Sequence, residues 1–176
     1  MDQALWEKCV QFHGHECPGL AIGFRASEVA MEKMGMKFRA ESDEEIVCVT
    51  ENDACGVDAV QVLTGCTLGK GNMVMRPSGK MAFSFFCRKS GDSIRLVMKP
   101  GKKEMSREER QQYILKAPAE DVFSIKKPGY EFPERARLFQ TVICSKCGEG
   151  APEHKIRLED GKPVCLDCVT SYDSRW

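Results

Sequence analysis

The stretch FHGHECPG at residues 12–19 contains a helix end, a tight loop and the start of a second helix. Pro18 fits the first position of the new helix, where its missing N–H costs nothing. Cys17 therefore occupies the N-cap, where the helix dipole and the unpaired N–H groups favour a thiolate. Because His13 and His15 lie beside this cysteine, the stretch predicts a metal site or a reactive thiolate. The structural alternative is a helix cap made by a buried cysteine.

Apolar residues recur at helical spacing on both sides of this loop. They predict helices at residues 3–13 and 18–34, each followed by a glycine that suits a helix end. A β-branched run at residues 45–50 predicts a strand that leads to the segment ENDACG and then to a short helix at residues 57–63.

After residue 72, hydrophobic residues no longer recur at helical spacing but at every second position, as in a strand. This pattern predicts three strands of an antiparallel meander, at residues 73–75, 80–88 and 93–99. A capping sequence that begins at Ser106 then opens a helix through about Lys116. The composition divides the chain into a core domain at residues 1–130, a linker at 131–140 and a small module at 141–176.

The small module contains two C-x2-C pairs separated by seventeen residues: Cys144 with Cys147, and Cys165 with Cys168. Four thiolates at this spacing bind zinc tetrahedrally. A hairpin between the pairs and a short helix from Leu166 would complete a zinc ribbon or treble clef. Because the module is too small for a core of its own, we expect zinc to supply most of its folding free energy.

The 26 basic and 26 acidic residues cancel, which argues against a general attraction to nucleic acid or membrane surfaces. No export signal and no apolar run of about twenty residues stands in the sequence, so we expect a soluble, cytoplasmic protein. Ten cysteines without an export signal indicate reduced thiols and metal rather than a disulfide framework. Together with nine methionines, this composition suits a reducing or anaerobic cytoplasm.

Three cysteines of the core domain lie in loops bordered by glycine, namely Cys17, Cys55 and Cys66. If the helices that follow the first two loops pack on one side of a sheet, their N-termini converge at one end of it. Cys55 shares the thiolate-favouring helix start of Cys17, and Asp53 is a natural cap before it. The alternative for each of the three cysteines is a purely structural role, in which the side chain is packed and neither binds metal nor reacts. That interpretation is favoured for the cysteines within apolar patterns: Cys9, Cys48 and Cys87.

Four segments together resemble the E-subunit family of formylmethanofuran dehydrogenase: FHGHECPG at 12–19, ENDACGVDA at 51–59, TGCTLGKG at 64–71 and GKMAF at 79–83. The resemblance covers residues 8–130, and the four-cysteine module is similar to the zinc finger of longer members. It implies an α+β core with a mixed β-sheet flanked by helices, a homodimer and a metal-binding pocket.

The same resemblance implies metal or thiolate-site roles for His15, Cys17 and Cys55, with other residues beside them: His13, Asp53, Cys66 and Lys70. The family's name implies an association with a molybdenum or tungsten enzyme of methanogens. Nothing in the sequence resembles a pterin-binding domain, and the chain is too short to hold one beside the two modules.

These residues are compatible with three alternative functions. The first is a metal-binding accessory protein of an anaerobic redox system, in which His15, Cys17 and Cys55 hold zinc or another metal ion. The second is an enzyme that uses Cys17 or Cys55 as a nucleophile or redox thiol, with His15 as its acid–base partner and Asp53 or Lys70 tuning the charge. The third is a zinc-finger interaction or regulatory protein. Expected partners are a second copy of the chain and subunits of a molybdenum or tungsten oxidoreductase, whereas membrane and nucleic acid are not expected.

Overall fold

The computed structural model describes residues 1–35, 44–101 and 104–171. The chain divides into two compact units, Met1–Ala136 and Arg137–Trp176. The boundary between them falls within the linker that the sequence predicts at residues 131–140. We call them the core unit and the C-terminal unit.

The core unit contains five helices: α1 Gln3–His13, α2 Pro18–Met34, α3 Gly56–Thr64, α4 Arg107–Lys116 and α5 Ala119–Val122. Local capping explains where they begin. Asp2 caps α1, Cys17 caps α2, and Ser106 forms a capping box with Glu109 at the start of α4. The bounds of α1 and α2 match the sequence prediction. Within the described residues, no helix combines the length and apolarity needed to cross a bilayer.

The core sheet has five strands: β1 Ile46–Thr50, β2 Met73–Met75, β3 Ala82–Cys87, β4 Ser93–Met98 and β5 Phe123–Lys126. Their order is β2-β1-β3-β4-β5. Strand β1 is parallel to β2 and antiparallel to β3, so the predicted mixed sheet is confirmed. The sequence predicts that β2, β3 and β4 form a meander, and this is wrong for β2. The connection through α3 is a crossover that places β2 parallel to β1, at the edge of β1 opposite β3.

The two faces of this sheet bury different residues. Helices α1 to α4 cover one face, where alternate strand residues such as Cys48, Phe85 and Leu96 are fully buried. On the other face, Val47, Val49 and Phe86 pack against a smaller group from the segment after β5 and from β2: Tyr130, Phe132 and Val74. Because successive strand residues point to opposite faces, the same strands serve both layers.

The C-terminal unit consists of two hairpins: β6 Thr141–Ile143 with β7 Gly150–Pro152, and β8 Ile156–Glu159 with β9 Lys162–Cys165. The second hairpin turns at Asp160 and Gly161, which both have positive φ as a tight two-residue turn requires. The predicted helix from Leu166 is wrong within the described residues 166–171, which form only a single turn, closed by the bonds from the N–H groups of Cys168 and Val169 to the Cys165 carbonyl. The described hairpins correspond to a zinc ribbon.

Candidate metal centres

The loop between α1 and α2 and the start of α3 bring His13, Cys17 and Cys55 together. The ligand atoms of these three residues all lie within 4.8 Å of one another. His13 Nε2 is 3.8 Å from Cys17 Sγ. On one tetrahedral zinc ion a ring nitrogen and a sulfur are about 3.6 Å apart and two sulfurs about 3.8 Å, because the nitrogen lies about 2.1 Å and each sulfur about 2.3 Å from the metal. The spacing of the group therefore fits a single metal ion.

The two cysteines meet because α2 and α3 touch through glycine. A Cβ added at Gly23 would lie 1.9 Å from the carbonyl oxygen of Gly56, and one added at Gly56 would lie 3.0 Å from the carbonyl oxygen of Gly19. A Cβ at Gly19 would also lie 3.4 Å from Cys55 Sγ and 3.7 Å from Cys17 Sγ. This backbone contact holds the start of α3 beside the start of α2.

Cys17 and Cys55 have different surroundings. The Cys17 sulfur is buried and accepts the N–H of Leu20 at 3.2 Å, which is the N-cap role predicted from the sequence. Cys55 precedes α3 but makes no capping bond. Burial, followed by the hydrogen bond with Cys17, raises the pKa of the Cys55 thiol. The predicted thiolate-favouring position is therefore wrong for Cys55 in the metal-free protein, although a bound metal ion deprotonates such a thiol.

Asp58 orients the histidine of the group. Its Oδ2 lies 2.7 Å from His13 Nδ1, the ring nitrogen that faces away from the cysteines. A carboxylate in this position places the ring proton on Nδ1 and leaves a lone pair on Nε2 for a metal. Asp58 is not among the residues predicted from the sequence. The available signal was its place three residues after Cys55, because residues at that spacing share a helix face.

The structure brings His13, and not His15, into the group. His13 is the last residue of α1, and Gly14 turns the chain with a φ of 92° directly after it. His15 is consequently exposed, and its ring lies against the His13 ring at 4.6 Å between centroids. The ligand set that the sequence predicts thus differs from the structural group in this one residue.

Three other residues named from the sequence are not members of the group. Cys66 follows the opposite end of α3, a helix of nine residues that spans about 13 Å. Its sulfur is buried and donates to the Ile46 carbonyl, and burial raises the pKa of this thiol to about 11. Lys70 lies beside Gly65 at the same end of α3, and Asp53 is exposed. Cys66 is thus part of the core.

The four cysteines of the C-terminal unit form a second group, whose sulfurs also lie within 4.8 Å of one another. Cys147 Sγ and Cys165 Sγ are 3.9 Å apart, as two ligands of one zinc ion would be. Backbone N–H groups, foremost those of Cys147 and Cys165, lower the pKa of Cys144 to about 6. These donors therefore favour the thiolate form of Cys144, which is the form that zinc binds.

Residues 12–127 match the family described as FmdE, molybdenum formylmethanofuran dehydrogenase operon. The chain belongs to the FmdE family. Residues 137–173 match the prokaryotic dksA/traR C4-type zinc finger, which covers all four cysteines of the C-terminal unit. The two matches and the two ligand groups indicate a metal-binding protein and confirm the family resemblance seen in the sequence.

Two relatives extend this comparison. A protein of Archaeoglobus fulgidus described as a probable S-adenosyl-L-methionine-binding protein is 33% identical over 193 residues, which cover 92% of this chain and 51% of that protein. This chain therefore spans about half the length of that relative. A crystal structure of a tungsten formylmethanofuran dehydrogenase FmdE-like protein from Syntrophus aciditrophicus has a TM-score of 0.66 and 27% identity, and the match covers 92% of this chain and 88% of that chain.

We expect Asp58→Asn to weaken metal binding at the core group by about ten- to a hundredfold, the usual effect of losing a carboxylate behind a ligating histidine. Titration of Co²⁺ into full-length protein whose C-terminal unit already holds zinc would measure this affinity through the thiolate-to-cobalt absorption. Asp53→Asn is the matched control, because Asp53 is an exposed carboxylate that is not a member of the group. Equal affinities of the two variants would contradict an orienting role for Asp58.

Proposed function

We propose that this FmdE protein is a metal-binding accessory protein of an anaerobic redox system. Its core unit would hold a metal ion through His13, Cys17 and Cys55, and its C-terminal unit would be stabilised by zinc. The observation that carries the proposal is the group of two sulfurs and one ring nitrogen within 4.8 Å, with a carboxylate behind the histidine. Thiolate and imidazole ligands select soft or borderline metals such as zinc rather than magnesium or calcium.

Three protein ligands leave one position of a tetrahedral metal open to an external ligand. The burial of the group also suits exchange, since Cys17 is buried whereas His13 and Cys55 are only half-buried. An open, accessible position supports transfer of the metal to a partner as well as Lewis-acid chemistry. This reasoning favours an accessory role over a purely structural one.

The redox setting of the proposal is supported by the descriptions of the relatives. The description of the family names a molybdenum formylmethanofuran dehydrogenase operon. The description of the Syntrophus protein names the tungsten form of that enzyme. We therefore propose a molybdenum or tungsten oxidoreductase subunit as the partner, and a second copy of the chain as a further one.

A thiol enzyme is the second candidate, and one observation favours it. Cys17, His13 and Asp58 are arranged in series, with 3.8 Å from sulfur to ring nitrogen and 2.7 Å from the other ring nitrogen to the carboxylate. Nucleophile, base and orienting group follow each other in this way in thiol and serine enzymes. In such an enzyme Cys17 would be the nucleophile and His13 its acid–base partner.

We expect His13→Ala to lower the Co²⁺ affinity of the core group by about a hundredfold or more, because one of three ligands is lost. His15→Ala is the matched control and should change the affinity by less than about threefold, since the His15 ring is exposed and outside the group. The measurement is the same Co²⁺ titration of zinc-loaded, full-length protein. Equal losses in the two variants would show that His13 is not the ligand.

The two candidates separate when Cys55→Ser is compared with Cys17→Ser. A shared metal requires both sulfurs, so each variant should lose the core cobalt absorption and the double variant should lose no more. A thiol enzyme requires Cys17 alone. Cys55→Ser protein would then still react rapidly with iodoacetamide at Cys17, and metal-free wild-type protein would do the same. Full Co²⁺ affinity in both single variants would refute the metal proposal.

A further inference from the structure

A basic cavity lies on the face of the core sheet opposite the helices. It has a volume of about 340 Å³ and is lined by five cationic side chains and one carboxylate: Arg76, Lys80, Arg95, Lys126, Lys127 and Glu51. Basic and acidic residues cancel over the whole chain, so this is a local concentration of positive charge. The cavity is separate from the metal group, which lies on the helical side of the sheet.

An ion pair forms the least exposed part of the cavity wall. Arg95 donates to Glu51 through Nε at 2.6 Å and Nη2 at 2.8 Å, and both side chains are nearly buried. The hydrogen bond from Arg95 holds the pKa of Glu51 below its usual range, so the carboxylate is charged. These two bonds leave Nη1 of Arg95 outside the ion pair.

A second cation of the cavity is held by an aromatic ring. The guanidinium of Arg76 lies over the Tyr130 ring, 4.6 Å from its centroid. Tyr130 is in turn fixed to the sheet, because its hydroxyl donates to Ser84 Oγ at 2.7 Å. Stacking and this hydrogen bond place the Arg76 charge at the wall of the cavity.

Once Glu51 is paired with Arg95, four cations remain around one cavity: Arg76, Lys80, Lys126 and Lys127. Like charges this close repel one another, and a bound anion relieves the repulsion. We propose that the cavity binds a small molecule through a phosphate or diphosphate group. Arginine and lysine are the side chains that proteins use for such groups. The concave shape and the volume fit a small ligand, whereas nucleic acid needs an extended basic surface.

Calorimetric titration of the zinc-loaded, full-length protein with inorganic pyrophosphate tests the proposal. We expect one site per chain, with a dissociation constant that rises with added salt because the cations are exposed and screened. Replacing Arg76, Lys80 and Lys127 with glutamine should weaken binding by about thirtyfold or more, since hydrogen bonds to charged groups are lost. Arg95 is kept, because its removal would leave the Glu51 carboxylate without its partner.

The matched control also removes three exposed cations of the core unit, but ones outside the cavity: Lys89→Gln, Arg107→Gln and Lys116→Gln. It should bind pyrophosphate like the wild type. If ATP binds more tightly than pyrophosphate, the ligand of the cavity is a nucleotide. If the two bind equally, the cavity recognises only the phosphate groups. S-adenosylmethionine should not compete, because its sulfonium is a cation. Lack of saturable binding, equal weakening in the control, or displacement by S-adenosylmethionine would overturn the proposal.

Discussion

Cys147→Ser is expected to unfold the C-terminal unit while the core unit stays folded. The unit has few apolar residues to pack, and three members of its small cluster are themselves cysteines: Cys144, Cys165 and Cys168. Zinc binding by small four-ligand domains supplies about 10–16 kcal/mol at neutral pH, more than such a cluster provides. Loss of one ligand therefore removes the main source of stability. Because Cys147 is exposed, the substitution leaves no cavity in the cluster.

Zinc content and limited proteolysis with mass spectrometry measure this effect. In the variant, cleavage should concentrate beyond about residue 141, and the described segments of the core unit, residues 1–35, 44–101 and 104–136, should remain protected. Ser145→Ala is the matched control, because Ser145 is an exposed neighbour in the same knuckle that offers no sulfur. Chelation of zinc from the wild type should reproduce the Cys147→Ser pattern. A variant with full zinc content and a protease-resistant C-terminal unit would refute the four-cysteine assignment.

Gly23→Ala is expected to destabilise the core unit by about 3 kcal/mol or more, and to lower its melting temperature by roughly 10 °C. Helix propensity alone predicts the opposite sign, since alanine is better than glycine within a helix by up to about 1 kcal/mol. The reason is steric. The new Cβ would lie 1.9 Å from the Gly56 carbonyl oxygen, a backbone atom that moves only if α3 moves with it.

That movement would also displace Cys55 and Asp58, which α3 carries, so Gly23→Ala should lose Co²⁺ binding at the core group as well. Thermal denaturation and Co²⁺ titration measure the two effects on the same sample. Gly69→Ala is the control, because nothing lies within 4 Å of a Cβ at that position. Wild-type stability with an intact cobalt absorption in Gly23→Ala would contradict the glycine contact between α2 and α3.

Much of the secondary structure follows from short-range signals. The ends of α1 and α2 depend on Gly14, Pro18 and Gly35, each of which acts on residues within one helical turn. The position of β2 does not depend on such signals. The alternation of apolar and polar residues in β2 is equally compatible with a meander. The parallel pairing of β2 with β1 arises only when α3 packs onto the sheet.

The candidate sites divide in the same way. The sequence by itself determined the four-cysteine group of the C-terminal unit and the cap role of Cys17, because the residues involved are close in the chain and their spacing specifies the geometry. Only the tertiary structure decided that His13 rather than His15 joins Cys17 and Cys55, and that five cations share one cavity. His13 and Cys17 are four residues apart, but Cys55 and the cations of the cavity come from elements distant in sequence. Their meeting depends on helix contacts and strand order, which no local pattern encodes.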